Sequence, residues 1–132
     1  MAEQEKDDLA SVRSELSRLA KRRQDRITEW SRQMPTEWTP GKVINPEVDM
    51  PFTEAGAWHF VGHLLDSGHP IQQISLRQSH SEVAYVLLVD LKPGTAKLYV
   101  KLQLKGGKVC GRSFHYSDRE VTKPEASERK SQ

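Results

Sequence analysis

The chain has 132 residues, 29% of them charged and 36% hydrophobic, with a formal net charge of +2 and a pI near 8.7. That length suits one ordinary domain or a smaller one with extensions, and so mild a charge excludes a nucleic-acid role carried by total charge alone. A single cysteine, Cys110, excludes an internal disulfide framework and a multi-cysteine zinc site. No apolar run approaches the roughly 18 residues of a membrane span, and the acidic start is unlike a secretory signal, so a soluble cytoplasmic protein without a membrane partner is expected.

The first 33 residues read as an N-terminal amphipathic, basic helix, running from residue 7 to about 33. They are rich in Leu, Ala, Arg, Glu and Gln and lack Gly and Pro. Leu9, Val12, Leu16 and Leu19 make an apolar seam at helical spacing, which fails at Arg23 and Arg26 before Ile27 and Trp30 resume it on a rotated face. Arg18, Lys21, Arg22, Arg23 and Arg26 form a basic cluster. The expectation is a helix that packs on the domain or forms a homodimer through residues 7–33.

Residues 34–51, "MPTEWTPGKVINPEVDMP", have several prolines and no periodicity, and read as an extended linker laid over the core by Trp38, Val43 and Ile44. A compact domain then spans 52–117. Thr53 is a good N-cap, Glu54 suits the first turn, and Ala57, Phe60, Val61, Leu64 and Leu65 make the buried face of a helix closed by Gly68. "PIQQISLR" is a first strand and "EVAYVLLVDL" a central one. Pro93 and Gly94 in "KPGT" set a type II turn. "AKLYVKLQL" and "KVCGRSFHYS" follow as a hairpin about Gly106-Gly107. From residue 118 the chain is polar and reads as a disordered tail. The fold class is therefore α+β: a long N-terminal helix and linker, then a helix packed on a four-stranded, mainly antiparallel sheet.

Register decides which hairpin side chains share a face. A two-residue Gly106-Gly107 loop pairs Leu98 with His115 and buries His115 and Ser113 while exposing Phe114. A three-residue loop, Lys105-Gly106-Gly107, instead puts Leu98, Val100, Leu102, Leu104, Cys110, Phe114 and Tyr116 inside. Tyr99, Lys101, Gln103, Ser113 and His115 then lie outside, and burial favours this register. Arg112 points inward in it unless the Cys110-Gly111 stretch bulges. The decorated outer face is either solvated sheet or a phosphate-handling site. His59 and His63 share a helix face but lack the glutamate of a zinc protease, and are read as surface residues, with no metal expected.

At "YVKLQL…GRSFHYS" the sequence resembles the MqsR family of messenger-RNA-cleaving toxins, within the broader barnase–colicin–RelE-like group. That family closes its sheet with a Tyr-x-Lys strand, a turn, and a strand with Ser-Phe followed by a basic residue. Tyr99, Lys101, Ser113, Phe114 and His115 match, although His115 stands where the family typically has lysine and the N-terminal helix and linker are extra. The resemblance implies a toxin of a toxin–antitoxin system that cleaves single-stranded RNA without a metal or other cofactor, partnered by RNA and an antitoxin protein. Its chemistry needs a base for the ribose 2′-hydroxyl, an acid for the departing 5′ oxygen and cations for the phosphorane. His115 serves as base or acid, since an unperturbed imidazole titrates near pH ~6.5. Tyr99 donates to phosphate or stacks on a base, and Lys101 and Arg112 stabilise charge. Arg77, His80, Lys97, Lys105 and Lys108 are the expected RNA-binding residues. The alternative is a non-catalytic α+β module that dimerises or binds a protein or nucleic-acid partner through its N-terminal helix.

Overall fold

In a computed structural model, the structure describes residues 2–32, 34–76 and 79–117, with the side chains of 2–8 and 79–81 left undescribed. The expected polar tail lies outside these residues. Helix α1 (Ala2–Ala20) opens the chain, and α2 (Glu54–Asp66) precedes four long strands: β5 (Gln72–Leu76), β6 (Ser79–Val89), β7 (Leu98–Lys105) and β8 (Lys108–Tyr116). Between the helices lie four two-residue strands, β1 (Arg26–Ile27), β2 (Glu37–Trp38), β3 (Ile44–Asn45) and β4 (Met50–Pro51). The fold is α+β, but its main sheet has six strands, not four. β5 to β8 form an antiparallel meander, and β1 and β2 both run parallel to β8 along its outer edge.

Local chemistry accounts for most of the elements. The Thr53 hydroxyl accepts from the Gly56 amide at 2.9 Å and starts α2. At the other end Gly68 adopts φ +87°, its amide and that of His69 donating to the Leu65 and Leu64 carbonyls, the six-to-one and five-to-two pattern of a Schellman close. Gly94 has φ +84° in the Lys92–Thr95 turn.

The N-terminal helix is shorter than the expected 7–33 element and stops at Ala20. Continued helix would carry Arg23 and Arg26 along the buried seam. Instead the chain turns, and Arg26 donates from Nε to the Ala20 carbonyl at 2.8 Å, closing the helix, with its guanidinium 5.5 Å from the Trp58 ring centre. Leu16, Leu19 and Ala20 are buried in the same core as Ala57, Trp58, Val61 and Leu65 of α2 and Leu87, Leu98, Val100, Leu102 and Phe114 of the sheet. The seam residues Leu16 and Leu19 are thus packed within one chain, with Val12 partly buried against the same core. The basic cluster is also engaged: Arg18 pairs with Glu15, Lys21 with Asp66, and Arg22 with Asp25.

Residues 34–51 are more than a linker. Val43 and Pro40 are buried, and Trp38 stacks on Trp58 at 4.6 Å and tilts against Phe114 at 5.2 Å. The Thr39 amide and hydroxyl both donate to the Phe114 carbonyl, tying the segment to β8. Ile44, expected to help cover the core, is exposed instead.

The hairpin corrects the expected register. Gly106 and Gly107 both have positive φ, 61° and 78°, the signature of a two-residue type I′ turn, and Lys105 pairs with Lys108. Pairing stays in that register as far as Leu102 with Gly111. Arg112 is then an extra residue, and beyond it Lys101 pairs with Ser113, Tyr99 with His115 and Leu98 with Tyr116. The bulge therefore restores Phe114 to the core, and Tyr99, Lys101, Ser113 and His115 share the outer face as expected. Cys110 does not follow the expectation. It pairs with Gln103 on the outer face, buried against Met34, whose Sδ lies 3.4 Å from its Sγ.

Gly111 makes the bulge compatible with the linker, because a Cβ there would come within 2.6 Å of the Trp38 ring. Gly111→Ala is expected to destabilise the fold by about 1–3 kcal/mol, the usual range for overpacking a filled site. A urea-denaturation midpoint equal to that of the parent chain would refute the Trp38–Gly111 contact.

Candidate functional site

On the sheet face away from the helices, β7 and β8 bring Tyr99, Lys101, Ser113 and His115 together, and β2 adds Glu37 opposite Ser113. The His115 and Tyr99 rings lie 5.5 Å apart as a cross-strand pair. His115 Nδ1 sits 2.9 Å from the Tyr116 carbonyl oxygen, and its Nε2 is 3.4 Å from Glu37 Oε1. Both ring nitrogens thus face oxygen acceptors, and the imidazolium is the form that donates to both. Glu37 is well exposed, whereas the His115 ring is largely covered.

Beside this pair is a groove of about 510 Å³ lined by Pro35, Thr36, Glu37, Ile74, Ser75, Leu76, Lys101, Arg112 and Ser113. Its size lies within the range of small-ligand sites. Arg112, the bulge residue, is held on this face rather than pointing inward: Nε donates to the Pro35 carbonyl at 3.0 Å and Nη1 to Gln103 Oε1 at 2.6 Å. A guanidinium has five N–H donors, so these bonds leave three. Among the described residues, neither Lys101 nor Arg112 forms an ion pair, and Lys101 has no hydrogen bond from its ammonium. Burial holds Lys101 below the usual lysine range, the neighbouring Arg112 adds to the effect, and Glu37 opposes it. Two cations thus sit beside one groove, with Glu37 as the carboxylate that shares its lining.

The expected RNA-binding residues Lys97, Lys105 and Lys108 do not gather around it. Lys105 pairs with Glu82 at 3.5 Å, while Lys108 reaches the Gln24 carbonyl at 3.0 Å and Asp25 at 3.8 Å, so both serve the turn end of the hairpin. Lys97 is exposed at the opposite end of β7, roughly 26 Å from Lys105 at ordinary strand rise. Arg77 and the side chain of His80 lie outside the described residues. His59 and His63 are exposed on α2, and no group of three metal-ligating side chains occurs among the described residues. The Cys110 thiol is pushed up by burial, with Arg112 and Lys105 opposing.

Glu37 and Gln103 are the site residues that sequence reasoning did not assign a role. Glu37 sits in a proline-punctuated stretch without periodicity, and its place opposite Ser113 depends on parallel pairing between segments 76 residues apart, as in Glu37 with Ser113. Gln103 was on the expected outer face, but nothing in the strand pattern marks it as a partner of Arg112.

None of the family models, curated proteins or solved structures compared with this chain matches it.

The depressed Lys101 ammonium has a sign that can be measured. Its folded-state pKa lies below that of the unfolded chain, so the unfolded chain binds more protons between the two values and stability rises with pH through that window. Lys101→Met removes the buried charge, and should be more stable than the parent chain at neutral pH. The difference should shrink as pH climbs to the ordinary lysine range. Urea titrations of both proteins at neutral and alkaline pH check this, and an equal difference at both would contradict it.

Proposed function

We propose that the protein is an endoribonuclease that cleaves single-stranded RNA by general acid–base catalysis in the groove lined by β2, β5 and the β7–β8 hairpin. The observation that carries this reading is the pair of cations, Lys101 and Arg112, lining a groove without ion-pair partners, next to the Glu37–His115 acid–base pair. A phosphodiester supplies the missing negative charge, and the phosphorane of its cleavage carries still more.

In this reading the Glu37 carboxylate takes the proton of the ribose 2′-hydroxyl as that oxygen attacks phosphorus. The P–O5′ bond breaks, and the His115 imidazolium gives its proton to the departing oxygen, leaving a 2′,3′-cyclic phosphate and a 5′-hydroxyl. Lys101 and the free N–H groups of Arg112 hold the phosphate oxygens. Tyr99, beside His115, offers a ring face or a hydroxyl to the substrate. A place as the toxin of a toxin–antitoxin system, restrained by an antitoxin protein, rests on the likeness of its Tyr-x-Lys and Ser-Phe-His strands to MqsR-type toxins.

A second reading draws on exposed apolar side chains: Ile44, Val48 and Met50 on the β3–β4 hairpin, and Trp30, which is 65% exposed. Apolar groups so displayed favour a protein-binding module. The two readings part on one experiment. Purified protein incubated with single-stranded RNA should yield fragments ending in 2′,3′-cyclic phosphate, with His115→Ala and Glu37→Gln each slowing the reaction about 10²–10⁴-fold, the usual contribution of a general acid or base. Intact RNA favours the binding module, and undiminished cleavage by His115→Ala removes that residue from the mechanism.

A further inference from the structure

Behind Arg112 the outer face carries a polar chain buried between strands. Gln103 is 3% exposed and Arg112 8% exposed, so neither has much recourse to water. Gln103 Nε2 donates to Glu82 Oε1 at 3.1 Å, and Gln103 Oε1 accepts from Arg112 Nη1 at 2.6 Å. The two contacts settle the orientation of the amide, because only its NH₂ group can donate to a carboxylate and only its oxygen can accept from a guanidinium. Arg112 is also held from the other side by the Pro35 carbonyl. Its planar group is thus clamped by two neutral oxygens.

The choice of neutral partners is the informative part. A buried arginine is ordinarily paired with a carboxylate. The carboxylate here, Glu82, stands one residue removed, with an amide between it and the guanidinium, and its other oxygen faces Lys105. A glutamate at 103 would reproduce the bond to Arg112 but would neutralise the guanidinium and compete with any anion in the groove.

We infer that Gln103 is a positioning residue that clamps Arg112 through a neutral amide oxygen, with Glu82 orienting the amide, so that the guanidinium presents an uncompensated positive charge to an RNA phosphodiester in the groove. This rests on the reading of the groove as a phosphodiester site. It adds that the strength of that site is set by where the negative charge sits on β6 and β7.

The double exchange Glu82→Gln with Gln103→Glu tests it in the full chain. The exchange keeps every side-chain length and the net charge, keeps a donor–acceptor pair between 82 and 103, and moves the carboxylate against Arg112. The probe is a fluorescent single-stranded 2′-O-methyl RNA oligonucleotide, which offers the phosphates but no attacking 2′-hydroxyl, followed by anisotropy over a range of salt. The doubly exchanged protein should melt at or above the parent midpoint but bind about 10- to 100-fold more weakly, as expected for losing a charge-assisted contact. Its salt dependence should be shallower by about one phosphate contact. Glu82→Gln alone, which removes a negative charge from this face and keeps the neutral oxygen on Arg112, should bind at least as tightly as the parent chain. A merely structural role for Gln103 would lower the melting midpoint and leave the salt slope alone. Should the double exchange not fold, Gln103→Met decides: it loosens the clamp without changing charge, so binding weakens at an unchanged salt slope. Parent-like binding by the double exchange, or by Gln103→Met, overturns the inference while leaving RNA cleavage by the parent chain intact. No oligonucleotide binding by the parent chain overturns the phosphodiester reading itself, and the inference with it.

Discussion

The bulge at Arg112 is the constraint on which the rest of the molecule depends. A type I′ turn at Gly106-Gly107 fixes the pairing at the closed end of the hairpin, and side chains alternate strictly from there. Carried unbroken to the open end, that parity would turn Phe114 to solvent and place Ser113 and His115 under the helices. One extra residue reverses it. Phe114 then reaches the core beside Phe52 and Trp38, and His115 comes out beside Tyr99. The extra residue is itself the arginine that lines the groove, so a single backbone irregularity sets the core, the outer face and the place of that cation together. Bulges placed next to functional sites commonly serve to re-aim a side chain in this way.

The segment before α2 has a matching part. Residues 26–27 and 37–38 pair along the outer edge of β8, with the Thr36 hydroxyl donating back to the Thr28 carbonyl at 3.0 Å. An uncovered edge of a long strand invites pairing with other chains, and this segment occupies it. The same covering delivers Glu37 to the groove, the Pro35 carbonyl to Arg112, and Trp38 to the cleft that Gly111 leaves open. Edge protection and site assembly are one structural event. A fold cut down to residues 52–117 would therefore lose a carboxylate and an arginine acceptor as well as stability.

How much of this could be read from the sequence follows the range of each interaction. Helix α2, with its Thr53 cap and Gly68 close, and the Pro93-Gly94 turn are local choices, visible within a few residues. The four long strands follow from alternation and apolar runs. Burial demanded that Phe114 be inside and His115 outside, and both are so placed. Alternation alone could not say whether parity was reversed in the loop or in the strand, because either route gives the same faces beyond residue 112. The difference shows only near the turn, where Cys110 lies on the outer face under Met34. The end of α1 was foreshadowed when the apolar seam gave way to Arg23 and Arg26, yet a run without Gly or Pro carries no stop signal of its own. Glu37 was beyond reach, since parallel pairing with a distant strand leaves no periodic trace in a two-residue element.

The electrostatics of the outer face then distinguish a site from a merely wet sheet. A solvated face scatters charges that water screens at little cost. Here Arg112 is nearly buried, Lys101 is partly buried beside it, and burial together with Arg112 lowers the affinity of Lys101 for its proton. Such a pair is an electrostatic strain on the folded state, relieved within the chain by Glu37 at the rim and by neutral oxygens from Pro35 and Gln103. Replacing one of those oxygens by a carboxylate would relieve it further, and Glu82 is near enough to show that a carboxylate fits on this face. The chain instead keeps that charge one amide away, bonded to Gln103 and facing Lys105. Local inconsistency of this kind, where a more stable arrangement lies within reach and is not taken, is expected where structure is shaped by a ligand. In the proposed reading an anionic ligand resolves it by presenting its charge to Lys101 and Arg112 at once, as the two oxygens of a phosphodiester would.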